Sequence, residues 1–198
     1  KLALSGTRST DEALIRLRSA TGLTGLELPS RIGDNGLPHL YNLGQLRFLV
    51  LSKTQTSSEG LGKLLSHLSR LEELDLTGCL NLTDIGLAGV EFSLSLREIT
   101  LDDTAAGPRT LAVLKRLKHL ELLSLVGCRS VTDDALIELI GSQENPTPAL
   151  ESLRFLRLGG TSITDQGLPA PRTTLKRLEG LDLQDTQVTT PHVQALRK

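Results

Sequence analysis

Four histidines, two cysteines and a run of acids are the residues of this chain whose chemistry could extend beyond packing. His39, His67, His119 and His192 are scattered, and no two fall at the i, i+4 spacing that puts a zinc-binding pair on one helix face. Structural or solvent roles suit them. Gly60-Leu61-Gly62-Lys63 has the close of a phosphate loop, but the first glycine is missing at the required offset. Leu64 also stands where Ser or Thr would hold magnesium. No nucleophile elbow, Cys-x-x-Cys pair or glycine-rich dinucleotide turn occurs. The acids Glu73, Asp75, Glu98, Asp102 and Asp103 lack a loop to supply the carbonyl ligands of a calcium site. The residues therefore assign no catalytic group, cofactor or metal, and point to a chain that is not an enzyme. Recognition remains, and it depends on which side chains share a surface.

That placement is set by a repeat. The stretch Leu71–Val90 opens as Leu-x-x-Leu-x-Leu-x-x-Cys and closes as Thr-Asp-x-Gly-Leu. The same opening starts at Leu23, Leu46, Leu71, Leu96, Leu120, Leu153 and Leu178, in steps of 23, 25, 25, 24, 33 and 25 residues. A partial unit covers residues 1–22, in which Leu2 and Leu4 end a strand and Ser9-Thr10-Asp11 begins a helix. The spacing predicts one array over residues 1–198. The long step holds a polar, Pro-bearing insertion at 141–149, an exposed loop that is either a tolerated insertion or a partner-contacting rim.

Each unit also carries a helix-start signal after its strand: Thr10-Asp11-Glu12, Asp34-Asn35-Gly36, Thr56-Ser57-Ser58-Glu59, Thr83-Asp84, Thr132-Asp133-Asp134, Thr164-Asp165 and Thr189-Thr190-Pro191. These read as N-caps worth about 1 kcal/mol each, with first-turn acids opposing the helix dipole. The fourth unit, Asp103 to Pro108, departs from the pattern and predicts a shorter or less regular segment, as does Gly167 to Pro171 in the sixth. Between strand and helix, the turn position holds Arg31, Thr54, Cys79, Thr104, Cys128, Thr161 and Thr186.

The Leu71 unit and its copy around Cys128 resemble the leucine-rich repeat in its cysteine-containing subtype, as found in F-box substrate adaptors of ubiquitin ligases. The resemblance implies an α/β right-handed solenoid, or horseshoe, with parallel strands on the concave face and short helices on the convex one. It also implies that the turn residues form an interior ladder of small polar side chains. Cys79 and Cys128 then lie two coils apart, roughly 10 Å at the ~4.8 Å strand spacing, which is beyond disulfide reach. Both are expected to be inert, buried thiols.

Composition agrees with an array. Aromatics make up 2% of the chain and Met and Trp are absent, so leucine must fill the interior by stacking. Formal net charge is −1, which removes the electrostatic case for nonspecific nucleic-acid or membrane-surface binding. Two cysteines do not make a disulfide framework, and the start has no signal-peptide layout, which suits a soluble, intracellular, cytoplasmic setting. Asn81-Leu82-Thr83 fits a glycosylation sequon but belongs to the repeat motif itself.

Read by column, the outward strand residues divide in three. The first column, Thr24, Arg47, Glu72, Arg97, Glu121, Arg154 and Glu179, alternates in sign and predicts a continuous cross-strand charge ladder. The second is Gly25, Phe48, Glu73, Glu98, Leu122, Phe155 and Gly180; the third is Glu27, Val50, Asp75, Thr100, Ser124, Arg157 and Asp182. With Asp102, Asp103 and Val126 they give an acidic centre flanked by Phe48 and Val50 on one side and by Leu122, Val126, Phe155 and Arg157 on the other. This is either a solvated face or a binding surface for a protein segment with basic and apolar residues. The function expected is an interaction scaffold or substrate-recognition module; the alternative is the recognition part of a larger enzyme. Either flanking sequence or end-to-end association is expected to cover the terminal coils.

Overall fold

The computed structural model describes residues 1–141, 150–168 and 175–196. Residues 142–149 of the expected insertion loop and the 169–171 segment lie outside them. Within each unit the strand comes from a single alternation, in which one central Leu or Ile points inward and its two neighbours point outward. The strands are β1 (Leu2–Ala3), β2 (Gly25–Glu27), β3 (Phe48–Val50), β4 (Glu73–Asp75), β5 (Glu98–Thr100), β6 (Leu122–Ser124), β7 (Phe155–Arg157) and β8 (Gly180–Asp182). They form one sheet, parallel throughout and in chain order. The register is constant: Leu49 pairs with Leu74, Leu74 with Ile99, and Ile99 with Leu123. Equivalent leucines therefore stack coil on coil, and Leu71, Leu74 and Leu76 are buried together with their copies in the neighbouring units.

Behind the sheet run short helices: 3-10 turns at Asp11–Leu17, Leu37–Leu40 and Asp165–Gly167, and α1 (Ser58–Leu65), α2 (Asp84–Ala88), α3 (Pro108–Leu114), α4 (Asp133–Ile140) and α5 (Thr190–Leu196). The fourth unit corrects the expectation, since its seven-residue α3 is longer than the five-residue α2. Pro108 in the first turn is preorganised for a helix, and the amides of Gly107, Arg109 and Thr110 find their acceptor in Asp84 of the previous coil. The sixth unit is short, as expected, with three residues of 3-10 helix.

The Thr-Asp signals do two jobs, of which capping is the lesser. Ser57, Thr83 and Thr164 accept from the amides of Gly60, Gly86 and Gln166, but Thr10 and Thr132 make no such bond. Over 34–36 the 3-10 turn begins only at Leu37, with Gly36 in the cap position. The acids instead reach forward to the next coil. Asp34 accepts from the amide and hydroxyl of Ser57 at 2.9 and 2.6 Å, Asp133 from those of Thr164 at 2.7 and 2.6 Å, and Asp165 from those of Thr189 at 2.7 Å each. The glycine of Thr-Asp-x-Gly is the receiving half of this contact. A Cβ on Gly60 or Gly167 would collide with the oxygen of Asp34 or Asp133, and one on Gly86 with the hydroxyl of Ser58. Where Pro108 replaces the acid, the next coil carries Ala135 in place of glycine and Thr132 is left without a cap bond.

A second column lies in the turn after each strand. Gly6, Lys53, Gly78, Asp103, Gly127, Gly160 and Asp185 all have left-handed backbone, with φ from 54° to 75°. At this conformation the amides of Lys53, Gly78, Asp103, Gly127 and Gly160 turn toward a carbonyl of the following coil at 2.7–2.8 Å, which extends the ladder beyond the strands. Glycine adopts it without penalty and Asp tolerates it, whereas Lys53 carries the strain.

The interior polar ladder is present with one correction. Thr104, Thr161 and Thr186 each donate to the carbonyl three residues earlier, while Cys79 and Cys128 reach back a full coil to the carbonyls of Leu51 and Leu101, at 3.0 Å each. Arg31 is exposed and does not join them, and Ile32 is buried instead. Both cysteines are free and buried, and burial pushes both thiols up from their ordinary value.

Two outcomes follow from this packing. Native protein should react with a thiol reagent only after denaturant is added, because a buried, protonated thiol is a poor nucleophile; rapid native labelling of Cys79 and Cys128 contradicts the ladder. Burial pushes the Asp84 carboxyl up, but its bonds from Thr110, Arg109 and Gly107 outweigh that and hold it below the usual range. Its stabilising contribution is thus present above the unfolded value and is lost as pH falls through the folded one. Asp84→Ala should cost about 2 kcal/mol or more in chemical denaturation at neutral pH, and less in acid.

Candidate functional site

The open face of the sheet presents the three outward columns in the expected register. In the first, Arg47 meets Glu72 through two bonds of 2.9 and 2.7 Å, Arg97 bonds Glu121, and Arg154 lies between Glu121 at 3.7 Å and Glu179 at 2.8 Å. The ladder is therefore a pair and a run of four rather than a continuous series. Glu72 is engaged by both nitrogens of Arg47, and Arg97 turns to the other side, so no ion pair closes the step between β4 and β5 among the described residues. These contacts are solvent-exposed and worth at most about 1 kcal/mol each.

In the second column the apolar and acidic residues expected at the site stand side by side. Phe48, Glu73, Glu98, Leu122 and Phe155 are consecutive neighbours across β3 to β7. The guanidinium of Arg47 lies 5.9 Å from the Phe48 ring centre and that of Arg154 lies 5.5 Å from that of Phe155. Phe155 leans over Gly180 of β8, where a Cβ would stand 2.8 Å from the ring. The aromatic thus occupies the place that the missing side chain leaves open, a role for Gly180 that its sequence position alone did not disclose.

Glu73 and Glu98 face each other as directly paired residues, and neither is in an ion pair among the described residues, although the Lys1 charge, paired with Glu27, is felt at Glu73. Burial first, and the charge of Glu98 second, push the Glu73 carboxyl above its ordinary value. The other three acids are differently placed. Asp75 accepts from Ser52 at 2.7 Å and from the Thr77 amide at 2.8 Å. Asp102 accepts from Ser124 at 2.6 Å and from the Val126 amide at 2.9 Å, with burial raising its carboxyl. Both acids tie coils and turns together. Asp103 sits in the left-handed turn, off the strand face, against Gly127. Val126 lies in the following coil's turn, half-buried, while Arg157 is exposed on β7 opposite Asp182.

A shallow pocket of about 110 Å³ opens over β2 to β5, floored by Phe48, Val50, Glu73, Asp75, Glu98 and Thr100. Lys1 reaches its margin and pairs with Glu27 at 2.8 Å. The face so built offers apolar contact surface with two carboxylates in the middle that form no ion pair among the described residues. Among the described residues, no helix is long and apolar enough to cross a membrane.

No family model and no curated protein sequence matches the chain. Among solved structures it is similar to internalin C2 of Listeria monocytogenes, with 27% identity and a TM-score of 0.68 over 98% of this chain and 76% of that one. It is also similar to the yeast Rad7 and Elc1 complex, at 20% identity, a TM-score of 0.61, and 95% and 57% coverage. A plant peptide hormone receptor, RGFR1 in complex with RGF2, gives 16%, 0.52, and 87% and 26%. With eight parallel strands in one unclosed sheet and short helices behind them, the chain has the fold of these proteins, the leucine-rich repeat solenoid.

Proposed function

We propose that the chain is a protein-recognition module whose concave sheet face takes a partner segment bearing basic and apolar side chains. The observation that carries this reading is the Glu73 and Glu98 pair. Two like charges in register on adjacent strands oppose folding, and here no cation of the chain pairs with either among the described residues. A lysine or arginine arriving from a partner relieves that repulsion, while Phe48 and Val50 on one side and Leu122 and Phe155 on the other supply apolar anchors. Asp75, Asp102, Asp103, Val126 and Arg157 frame this centre, with Arg157 selecting against a uniformly basic ligand at its end. Solenoids of this fold engage protein partners along such faces, and two of the structural neighbours are held in complexes. The specific form of the reading is substrate recognition within a ubiquitin ligase, supported by the cysteine-containing repeats at Cys79 and Cys128. Their free thiols suit a reducing, cytoplasmic setting.

A fluorescein-labelled peptide alternating Lys or Arg with Leu or Phe serves as the probe. Phe155→Ala should weaken it by about 2 kcal/mol or more, mainly through faster dissociation. Glu98→Lys should slow association, more at low salt than at high. If both variants bind as the native chain does, the concave-face assignment is wrong.

The probe's affinity should also depend on pH. A cation favours the ionised form of Glu73, so the complex holds fewer protons than the free partners. Binding then weakens as pH falls through the raised carboxylate range. Glu73→Gln should flatten that dependence, and an unchanged profile would remove Glu73 from the site.

A further inference from the structure

We infer that the rim where α2 and α3 return to the sheet is a contact surface for a second copy of this chain, with Leu94 of each copy seated in a recess of the other. Two residues before the first leucine of each full unit, the other coils carry Thr21, Gly44, Ser69, Lys118, Glu151 and Lys176, and this coil alone carries a large apolar residue there. Leu94 keeps 63% of its surface exposed. It is held out in place, since the Ser93 hydroxyl donates to the Ser69 carbonyl at 3.0 Å and accepts from the Ser95 amide at 3.3 Å, fixing the backbone on both sides of it. Leu94 stands at the lip of a recess of about 170 Å³ between the loop after α2 and the end of α3, walled by Val90, Phe92, Val113 and Leu117. Small-molecule pockets begin at roughly 300 Å³, so this one suits a single side chain. A knob and a recess side by side on one molecule are what an isologous contact needs, because a twofold axis seats each copy's knob in the other's recess.

The charges of the lining select a copy of this chain. They are one cation, Arg116 just beyond α3, and one acid, Glu91 on the loop after α2. Both are exposed, and among the described residues neither forms an ion pair, with the other or with any other group. A partner carrying one sign of charge would satisfy one of them and repel the other. A second copy turned about the twofold axis reverses their order, so that Arg116 of each faces Glu91 of the other and both are paired at once. One side chain in a small recess buries less than a permanent dimer does, so the association is weak and follows concentration.

Analytical ultracentrifugation of the chain from about 1 μM to about 1 mM tests this. The weight-average mass should rise toward that of a dimer and stop there. Leu94→Asp should weaken the association by about tenfold or more. Arg116→Glu and Glu91→Arg should each weaken it by about tenfold, because each sets like charges across both halves of the contact. Carried together in one chain, the two charge changes should restore it, since the pair is then only reversed. All three positions are exposed, so the variants should fold, and thermal melts check this. Glu98→Lys on the concave face should leave the association unchanged, which separates this surface from the proposed recognition site. A chain that stays monomeric over the whole range overturns the proposal, as does a double charge variant that associates no better than the single ones. So does a mass that climbs past two copies and ignores Leu94→Asp, which would assign association to terminal coils joining end to end.

Discussion

No coil of this chain can bury its own leucines. Each contributes a three-residue strand, a turn and a short helix, and the side chains that point inward from these have only the adjacent coil to meet. The stacking of Leu49 on Leu74, and of Leu74 on Ile99, is therefore the interaction on which the strands, the helices and the outward columns all depend. Parallel pairing alone would let neighbouring coils slip. The contacts at the helix starts oppose that, because a carboxylate projecting from one coil must find the amides of the next, with a glycine giving it room in front of Asp34 and Asp133 and the Thr110 hydroxyl donating to it at Asp84. After Pro108 the next coil has no acid to receive, and Ala135 stands at the position that Gly60 and Gly167 fill where an acid arrives.

Stacking at one fixed register also decides what the surface can be. An outward residue acquires lateral neighbours at equivalent positions in the adjoining coils, so sequence positions about 25 residues apart become partners a strand spacing away. For Arg47 and Glu72 this gives a bidentate ion pair; for Glu73 and Glu98 it gives repulsion. The scaffold tolerates the second because the leucine stack beneath supplies far more stabilisation than one exposed like-charge contact removes. Charge placed against the fold in this way is available to a ligand, whereas charge satisfied within the fold, as in Asp75 and Asp102, is not.

The periodicity of leucine was enough to place every strand and the registered columns, because inward and outward alternate with a period that no competing structure shares. What escaped it were contacts between coils. Thr-Asp-x-Gly has the form of a helix cap, and a cap is a local reading; the acid's partners lie 22 to 31 residues further on. The left-handed turn column was hidden because Lys53, Asp103 and Asp185 interrupt the glycines that would have marked it. Alternating sign in the first column suggested an unbroken ladder, but whether an arginine reaches one neighbouring acid, as Arg97 does Glu121, or two, as Arg154 does, is settled only by side-chain geometry. Asp102 and Asp103 looked equivalent as adjacent acids, yet a single step into the turn separates one held by Ser124 and Val126 from one at positive φ.

A net charge of −1 conceals a segregation that the fold imposes. Acids gather where helices begin, at Asp11, Asp34, Asp84, Asp133 and Asp165, because backbone amides of the same or the next coil are unpaired there. Cations follow only some helix ends, with Arg16 and Lys63 in the last turns of their helices and Lys115, Arg116 and Lys118 after α3, whereas α2 and α4 have none in their last turns. Repeating one coil thus repeats the acidic helix starts, each bonded to the next coil, while the cationic ends recur only in part. Total charge, which argued against nonspecific polyanion binding, therefore does not report how the fold distributes the charges it holds.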